Sequence, residues 1–250
     1  MISRFLRVFV FVLLFASTGG AAEPGKISKE KISSKGKERI YFLCVPKDVS
    51  PEQKFPLILT LHGSRRSGET LVSKWKDKAQ IEKVVLAGPD SADSVHCASP
   101  ADGPLFLHDI IEQVKEKYPI DGRRVFLFGH SAGAVFALQM AAFESEYVAA
   151  AAIHAGSLDP PYFRLFDYAT RKIPYAIWIG TRDNFFPLAT VQATRDALKS
   201  RGFPVEYTEI LGHTHDYYSR SKEINDAVWE FFKKNPLPAE PKYTVYKDPD

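Results

Sequence analysis

Cysteine is scarce in this 250-residue chain, which has only Cys44 and Cys97. Two cysteines exclude a disulfide-dense scaffold and leave two arrangements open, a single bridge or two separate buried thiols. Long apolar runs are also missing: the one at residues 8–16 falls well short of the roughly 20 residues that a helix needs to cross a bilayer. Charge of one sign does not accumulate. Thirty-three Lys and Arg against 30 Asp and Glu give a net charge of +3, with no basic stripe of the kind that tracks nucleic acid. Outside His213, His215 and Asp216 there is no further ligand cluster at metal-binding spacing, so neither a metal nor any other cofactor is expected. What remains is ordinary globular composition, 45% hydrophobic and 13% aromatic, sufficient for one large core.

The ends differ from the middle. Arg4 and Arg7 precede the apolar run, and small residues follow it up to Ala22. This order is that of a secretory signal peptide, so residues 1–22 are expected to be removed and the protein to be secreted or periplasmic, with no stable membrane insertion afterwards. Residues 23–38, rich in Lys, Ser and Gly, are expected to form a flexible lead-in. A folded domain is expected over 39–235, and residues 236–250, rich in Pro and charge, form a tail along the surface.

Between these ends, short apolar runs alternate with longer amphipathic ones. Strands are expected at 39–45, 57–61, 84–87, 125–128, 149–154, 175–179 and 205–210, because uninterrupted apolar runs of this length suit strands covered on both faces. Phe106, Leu107, Ile110, Ile111, Val114 and Tyr118 recur at helical spacing. Residues 132–142 are apolar all round, as in a helix buried against a sheet, and 188–199 and 222–232 are amphipathic. The alternation predicts an α/β fold with a mostly parallel central sheet and helices on both faces. Residues 158–171 interrupt the pattern and are either a small lid or a plain connection.

The most informative segment is Val125-Phe-Leu-Phe-Gly-His-Ser131-Ala-Gly133. An apolar strand runs through G-x-S-x-G directly into an apolar helix, the context of a nucleophile elbow in α/β-hydrolases. The turn is so tight that side chains flanking it would collide, hence Gly129 and Gly133, and it lifts the hydroxyl of Ser131 above the sheet. The backbone N–H of Ala132, at the helix start, points where negative charge would develop. Leu57-Ile-Leu-Thr-Leu61 ends in His62-Gly63-Ser64, which offers the N–H of Ser64 as the second oxyanion donor; His62 itself is expected to be structural.

A serine hydroxyl needs a base, and the base needs a carboxylate to orient it. The order on this fold is Ser, then Asp, then His. Asp183 follows the apolar run 175–179, where open sheets build their sites; Asp159 and Asp167 compete from within the interrupting segment. Only His213 and His215 come later in the chain, and spacing does not separate them.

With these landmarks in hand, the sequence resembles the secreted α/β-hydrolase esterases grouped with polyhydroxybutyrate depolymerases and feruloyl esterases. Leu61-His62-Gly63, Tyr118-Pro-Ile-Asp121, Gly129-His-Ser-Ala-Gly133 and Gly180-Thr-Arg-Asp183 carry the resemblance, with Gly212-His213-Thr214 as a looser match. Members place their catalytic histidine two residues before an aromatic, which His215-Asp216-Tyr217 satisfies, so the resemblance implies His215 as the base and His213 as its competitor. It also implies a carboxylic ester hydrolase acting through an acyl-enzyme, with a small or carbohydrate-linked ester as substrate, since no separate polymer-binding domain is evident. Two other readings stay open: a peptidase on the same fold, and a catalytically silent hydrolase fold kept as a binding module.

Overall fold

The computed structural model describes residues 22–50, 52–93, 95–98 and 100–244. The expected signal segment therefore lies, but for Ala22, outside the described residues. In chain order the elements are β1 (Ile27–Ser34), β2 (Lys37–Cys44), β3 (Phe55–Leu61), α1 (Gly68–Glu82), β4 (Val85–Pro89), α2 (Leu105–Lys117), β5 (Ile120–His130) and α3 (Ala132–Phe143). Then come β6 (Ala150–His154), a 3-10 helix (Pro160–Tyr168), β7 (Tyr175–Gly180), α4 (Leu188–Ser200), β8 (Val205–Ile210), a short 3-10 turn (Tyr217–Ser219) and α5 (Ser221–Lys233).

The strands form one sheet in the order β1-β2-β4-β3-β5-β6-β7-β8. β1 and β2 are antiparallel to their neighbours, and from β4 to β8 every pairing is parallel. Helices cover both faces, and each face has its own core. Phe106, Ile110, Ala137, Val191 and Leu198 from α2, α3 and α4 close one side. Trp75, Val228, Trp229 and Phe232 from α1 and α5 close the other, over Ile58, Phe126 and Phe128. This is the α/β-hydrolase fold. The chain leaves β3 toward β4, crosses back to β5 and then proceeds only away from β3. β3 and β5 are therefore neighbours at which the winding reverses, with Leu61 beside Gly129 at their carboxyl ends. Open α/β sheets form their ligand crevice at such a reversal.

One expectation needs correction, and two features go beyond what the sequence suggested. Residues 23–38 are not a loose lead-in. Ile27–Ser34 pairs along its whole length with Lys37–Cys44, so the sheet begins well before residue 39. The polar composition misled because an edge strand is wet on one face: Lys29 and Lys31 point outward while Ile32 and Ser34 are buried, and charged edges of this kind discourage association with other strands. The tail is docked as far as it is described. Leu237 is buried, its N–H donates to Arg123 O and its carbonyl accepts from Arg123 Nε (both 2.8 Å), and Tyr243 stacks on His108. Helix α1 was not foreseen, although Leu71, Val72, Trp75 and Ala79 form its buried stripe and Ser67 Oγ caps it through Thr70 N–H.

The cysteines are separate thiols. Cys44 is buried on the α1/α5 side of the sheet and Cys97 on the α2/α3 side. Residues 160–168 form the β6-to-β7 connection, with Phe166 buried against the α2/α3/α4 core.

Candidate active site

Ser131 sits at the junction of β5 and α3 with φ 58° and ψ −123°, a backbone region that non-glycine residues avoid. What enforces it is visible at its flanks. A Cβ on Gly129 would lie 2.2 Å from Gly133 O, and one on Gly133 would lie 2.0 Å from Leu61 O. The turn is thus wedged between its own helix and β3, and the Ser131 N–H is tied to His154 O (3.1 Å) at the end of β6.

Three side chains converge above this turn. His215 Nε2 is 2.9 Å from Ser131 Oγ, and His215 Nδ1 is 2.8 Å from Asp183 Oδ2. The Asp183 side chain is fully buried. Its second oxygen, Oδ1, accepts the N–H groups of Phe185 (2.8 Å) and Phe186 (2.9 Å), which leaves Oδ2 for the imidazole. A carboxylate accepting at Oδ2 puts the proton of neutral His215 on Nδ1 and leaves Nε2 as the acceptor facing the serine hydroxyl. The loop carrying His215 is anchored by the next aromatic: Tyr217 is buried, its hydroxyl donates to Asn225 Oδ1 (2.6 Å), and Asn225 Nδ2 donates to Lys74 O (2.9 Å).

His213, the competing histidine, faces another way. Its Nε2 lies 3.3 Å from His154 Nε2, and His154 Nδ1 lies 3.0 Å from His130 Nδ1. His130, His154 and His213 thus form a buried column beneath His215, whose ring centroid is 5.0 Å from that of His130. Burial keeps the column neutral. It pushes His130 down to about 3, with help from His215 nearby, holds His154 well below the usual imidazole range with help from the adjoining rings, and also lowers His213. The joint position of His130 and His154 under the site depends on β5, β6 and the β8 loop meeting, which spacing along the chain does not reveal.

His62, Gly63 and Ser64 follow β3 and face the serine: a Cβ on Gly63 would lie 3.2 Å from Ser131 Cβ. His62 is buried and fixes this peptide. Its Nε2 accepts from Ser91 N–H (3.3 Å), so its proton is on Nδ1, which donates to Gly63 O (2.9 Å). In a trans peptide the N–H points opposite the carbonyl, so holding Gly63 O aims the Ser64 N–H away from His62. Among the described residues that N–H has no hydrogen-bond acceptor. Ala132, the first residue of α3, has no carbonyl one turn back within the helix to accept its own N–H.

Another wall beside Ser131 is formed by His96, Cys97 and Ala98. Asp102, almost fully buried, pairs with Arg39 and accepts the N–H groups of Ala92 (2.7 Å) and Ala98 (2.8 Å). Arg66 and Arg182 line the cleft beside His215. Neither they nor Phe185 stood out in the sequence; the turn that caps Asp183 is what projects Phe185 outward. His213 and His215 turn to different partners, an arrangement unsuited to a shared metal ion.

Comparison with known proteins fits this architecture. No curated protein matches the chain. Among solved structures, a thermostable esterase is 20% identical with a TM-score of 0.66, over 84% of this chain and 63% of that one. Est1E from Butyrivibrio proteoclasticus is 18% identical with a TM-score of 0.63, over 82% and 98%. An S-formylglutathione hydrolase from Agrobacterium tumefaciens is 16% identical with a TM-score of 0.61, over 86% and 97%. The chain thus spans a little under two thirds of the thermostable esterase's length, and at these identities the likeness is one of fold. Residues 95–235, more than half of the chain and including the β5–α3 turn, Asp183 and His215, match the model of the Dienelactone hydrolase family, so the chain belongs to that family.

Proposed function

We propose that the chain hydrolyses carboxylic esters through an acyl-enzyme on Ser131. Ser131 Oγ attacks the ester carbonyl as His215 takes its proton, and Asp183 holds the imidazole in the required tautomer. The N–H groups of Ser64 and Ala132 receive the oxyanion. His215 then protonates the leaving alcohol and activates the water that releases the acid. No cofactor enters these steps. The single observation that carries the reading is the position of His215, 2.9 Å from Ser131 Oγ on one side and 2.8 Å from Asp183 on the other. The neutral column beneath supports it too, since no second cation there opposes the charge that His215 acquires during turnover.

The reading extends to a small or carbohydrate-linked ester and to the subgroup of polyhydroxybutyrate depolymerase-like and feruloyl esterases, on the motifs quoted above. Export to a secreted or periplasmic location rests on Arg4, Arg7 and the apolar run 8–16; N-terminal sequencing of protein recovered outside the cytoplasm tests it, with a start at residue 23 expected. The test of the chemistry is Ser131→Ala assayed on p-nitrophenyl acetate, alongside fluorophosphonate labelling of the unmodified chain. Loss of turnover and an adduct on Ser131 are expected. Retained turnover, or an adduct elsewhere, rejects the assignment.

A further inference from the structure

Two cavities meet at Ser131, and they differ in character. One, about 520 Å³, lies on the His215 side and is walled by Arg66, Arg182, Asn184, Thr214 and Tyr218. The other, about 630 Å³, lies along α3 and is walled by Cys97, Ala98, Val135, Phe136 and Phe186. A third cavity, about 370 Å³, shares Val135, Gln139, Phe185 and Phe186 with the second and continues it to Leu158 and Tyr162. Together the second and third make a mostly apolar trough that starts at the serine and runs away from the histidine.

The floor of the trough is a property of α3. That helix is buried nearly all round, but Ala132, Val135 and Gln139 are only half-buried. They stand at i, i+3 and i+7, one stripe of a helix surface. At about 1.5 Å per residue the stripe extends about 10 Å, close to an extended acyl chain of about eight carbons. The far wall is Phe185, which is 74% exposed. Its ring packs on one side against His215, with centroids 4.7 Å apart. It is held there because its own N–H caps Asp183.

Sidedness follows from proton transfer. The oxygen that leaves must face His215 Nε2, which protonates it, so the alcohol part of an ester occupies the cavity that His215 lines with Arg66 and Arg182. The acyl part must then leave the carbonyl carbon on the other side, over Ala132 and into the trough. We propose that this trough is the acyl site and that the preferred substrates are esters of extended apolar acids of about eight carbons, joined to a compact alcohol. The inference rests on the ester-hydrolase reading and names its substrate class.

The experiment compares two isomers on the unmodified protein, ethyl octanoate and octyl acetate, with p-nitrophenyl acetate and octanoate run in parallel. Each methylene buried contributes about fourfold in binding, so ethyl octanoate is expected to exceed octyl acetate in kcat/KM by more than about tenfold, with p-nitrophenyl octanoate likewise above the acetate. In Val135→Trp, which fills the trough near its mouth, the octanoate-to-acetate ratio is expected to fall at least about tenfold; Gln139→Trp, halfway along, is the second variant should the first fail to fold. A preference for octyl acetate, or equal rates on the isomers, overturns the proposal while leaving ester hydrolysis standing. An unchanged ratio in a folded variant does the same. No turnover of any of these esters, without fluorophosphonate labelling, rejects the ester-hydrolase reading itself and this proposal with it.

Discussion

Replacing Ser131 by glycine and by alanine separates the backbone strain of the β5–α3 turn from the chemistry of its side chain. Both substitutions remove the hydroxyl and its hydrogen bond to His215, so that loss cancels in the comparison. What differs is the Cβ. At φ 58° and ψ −123° a residue bearing a Cβ is strained by about 1–3 kcal/mol, and glycine relieves that strain. Against it stands the extra freedom that glycine has in the unfolded chain, about 0.5–1 kcal/mol. At mid-range the difference leaves Ser131→Gly more stable than Ser131→Ala by about 1 kcal/mol. For a chain of this size that is a rise in Tm of roughly 2–4 °C. Neither variant is expected to turn over esters. Calorimetry and urea unfolding of the two proteins provide the measurement. At a relaxed position the sign is the opposite, since glycine there is less stable than alanine. An alanine variant as stable as the glycine variant, or more so, refutes the strained turn.

Further outcomes can be checked separately. Asp183→Asn removes the carboxylate from His215 Nδ1 and presents the wrong tautomer, so kcat is expected to fall by about 10⁴ with the fold intact and KM little changed; steady-state kinetics would show otherwise if Asp183 only held the loop. Tyr217→Phe strands Asn225 Oδ1 in the core and should cost about 1–3 kcal/mol in urea unfolding, with any loss of rate following the displacement of His215. Glu144 is buried, its Oε1 has no hydrogen-bond partner among the described residues, and burial raises its pKa from 4.5 to about 7. The folded state therefore binds this proton more tightly than the unfolded state, and stability from this group is present below pH 4.5 and lost as pH rises toward 7. Glu144→Gln should leave stability near that of the parent at pH 4.5 and raise it by up to about 3 kcal/mol at pH 8; an equal effect at both pH values contradicts the assignment.

Much of the fold was legible because the parallel strands are covered on both faces. Runs such as 57–61, 125–128 and 175–179 have nothing polar to gain from water on either side and show as short apolar blocks. The elbow was legible for a different reason: Gly129 and Gly133 are required by contacts within a few residues, so the constraint is local. β1 was missed because an edge strand needs only one apolar face, and Lys29 and Lys31 hide the alternation of Ile32 with its neighbours. Helix α1 was missed because Lys74, Lys76 and Lys78 separate its buried residues, and the stripe Leu71, Val72, Trp75 and Ala79 emerges only on a helical wheel. The distinction between His213 and His215 is tertiary. Both leave the end of the same strand, and the anchoring of Tyr217 on Asn225, near the start of α5, accompanies the turn of one ring toward Ser131 and the other toward His154.

The column of His130, His154 and His213 constrains how this protein can vary. A neutral imidazole carries one N–H, and His154 spends one nitrogen on each neighbour, so it must donate to one and accept from the other. The three rings therefore have two permitted protonation patterns, each specifying all of them at once. A substitution at any one of these positions leaves a buried nitrogen of the next without its partner. Residues 130, 154 and 213 are expected to behave as a single inherited unit, exchanged together for apolar side chains or retained together.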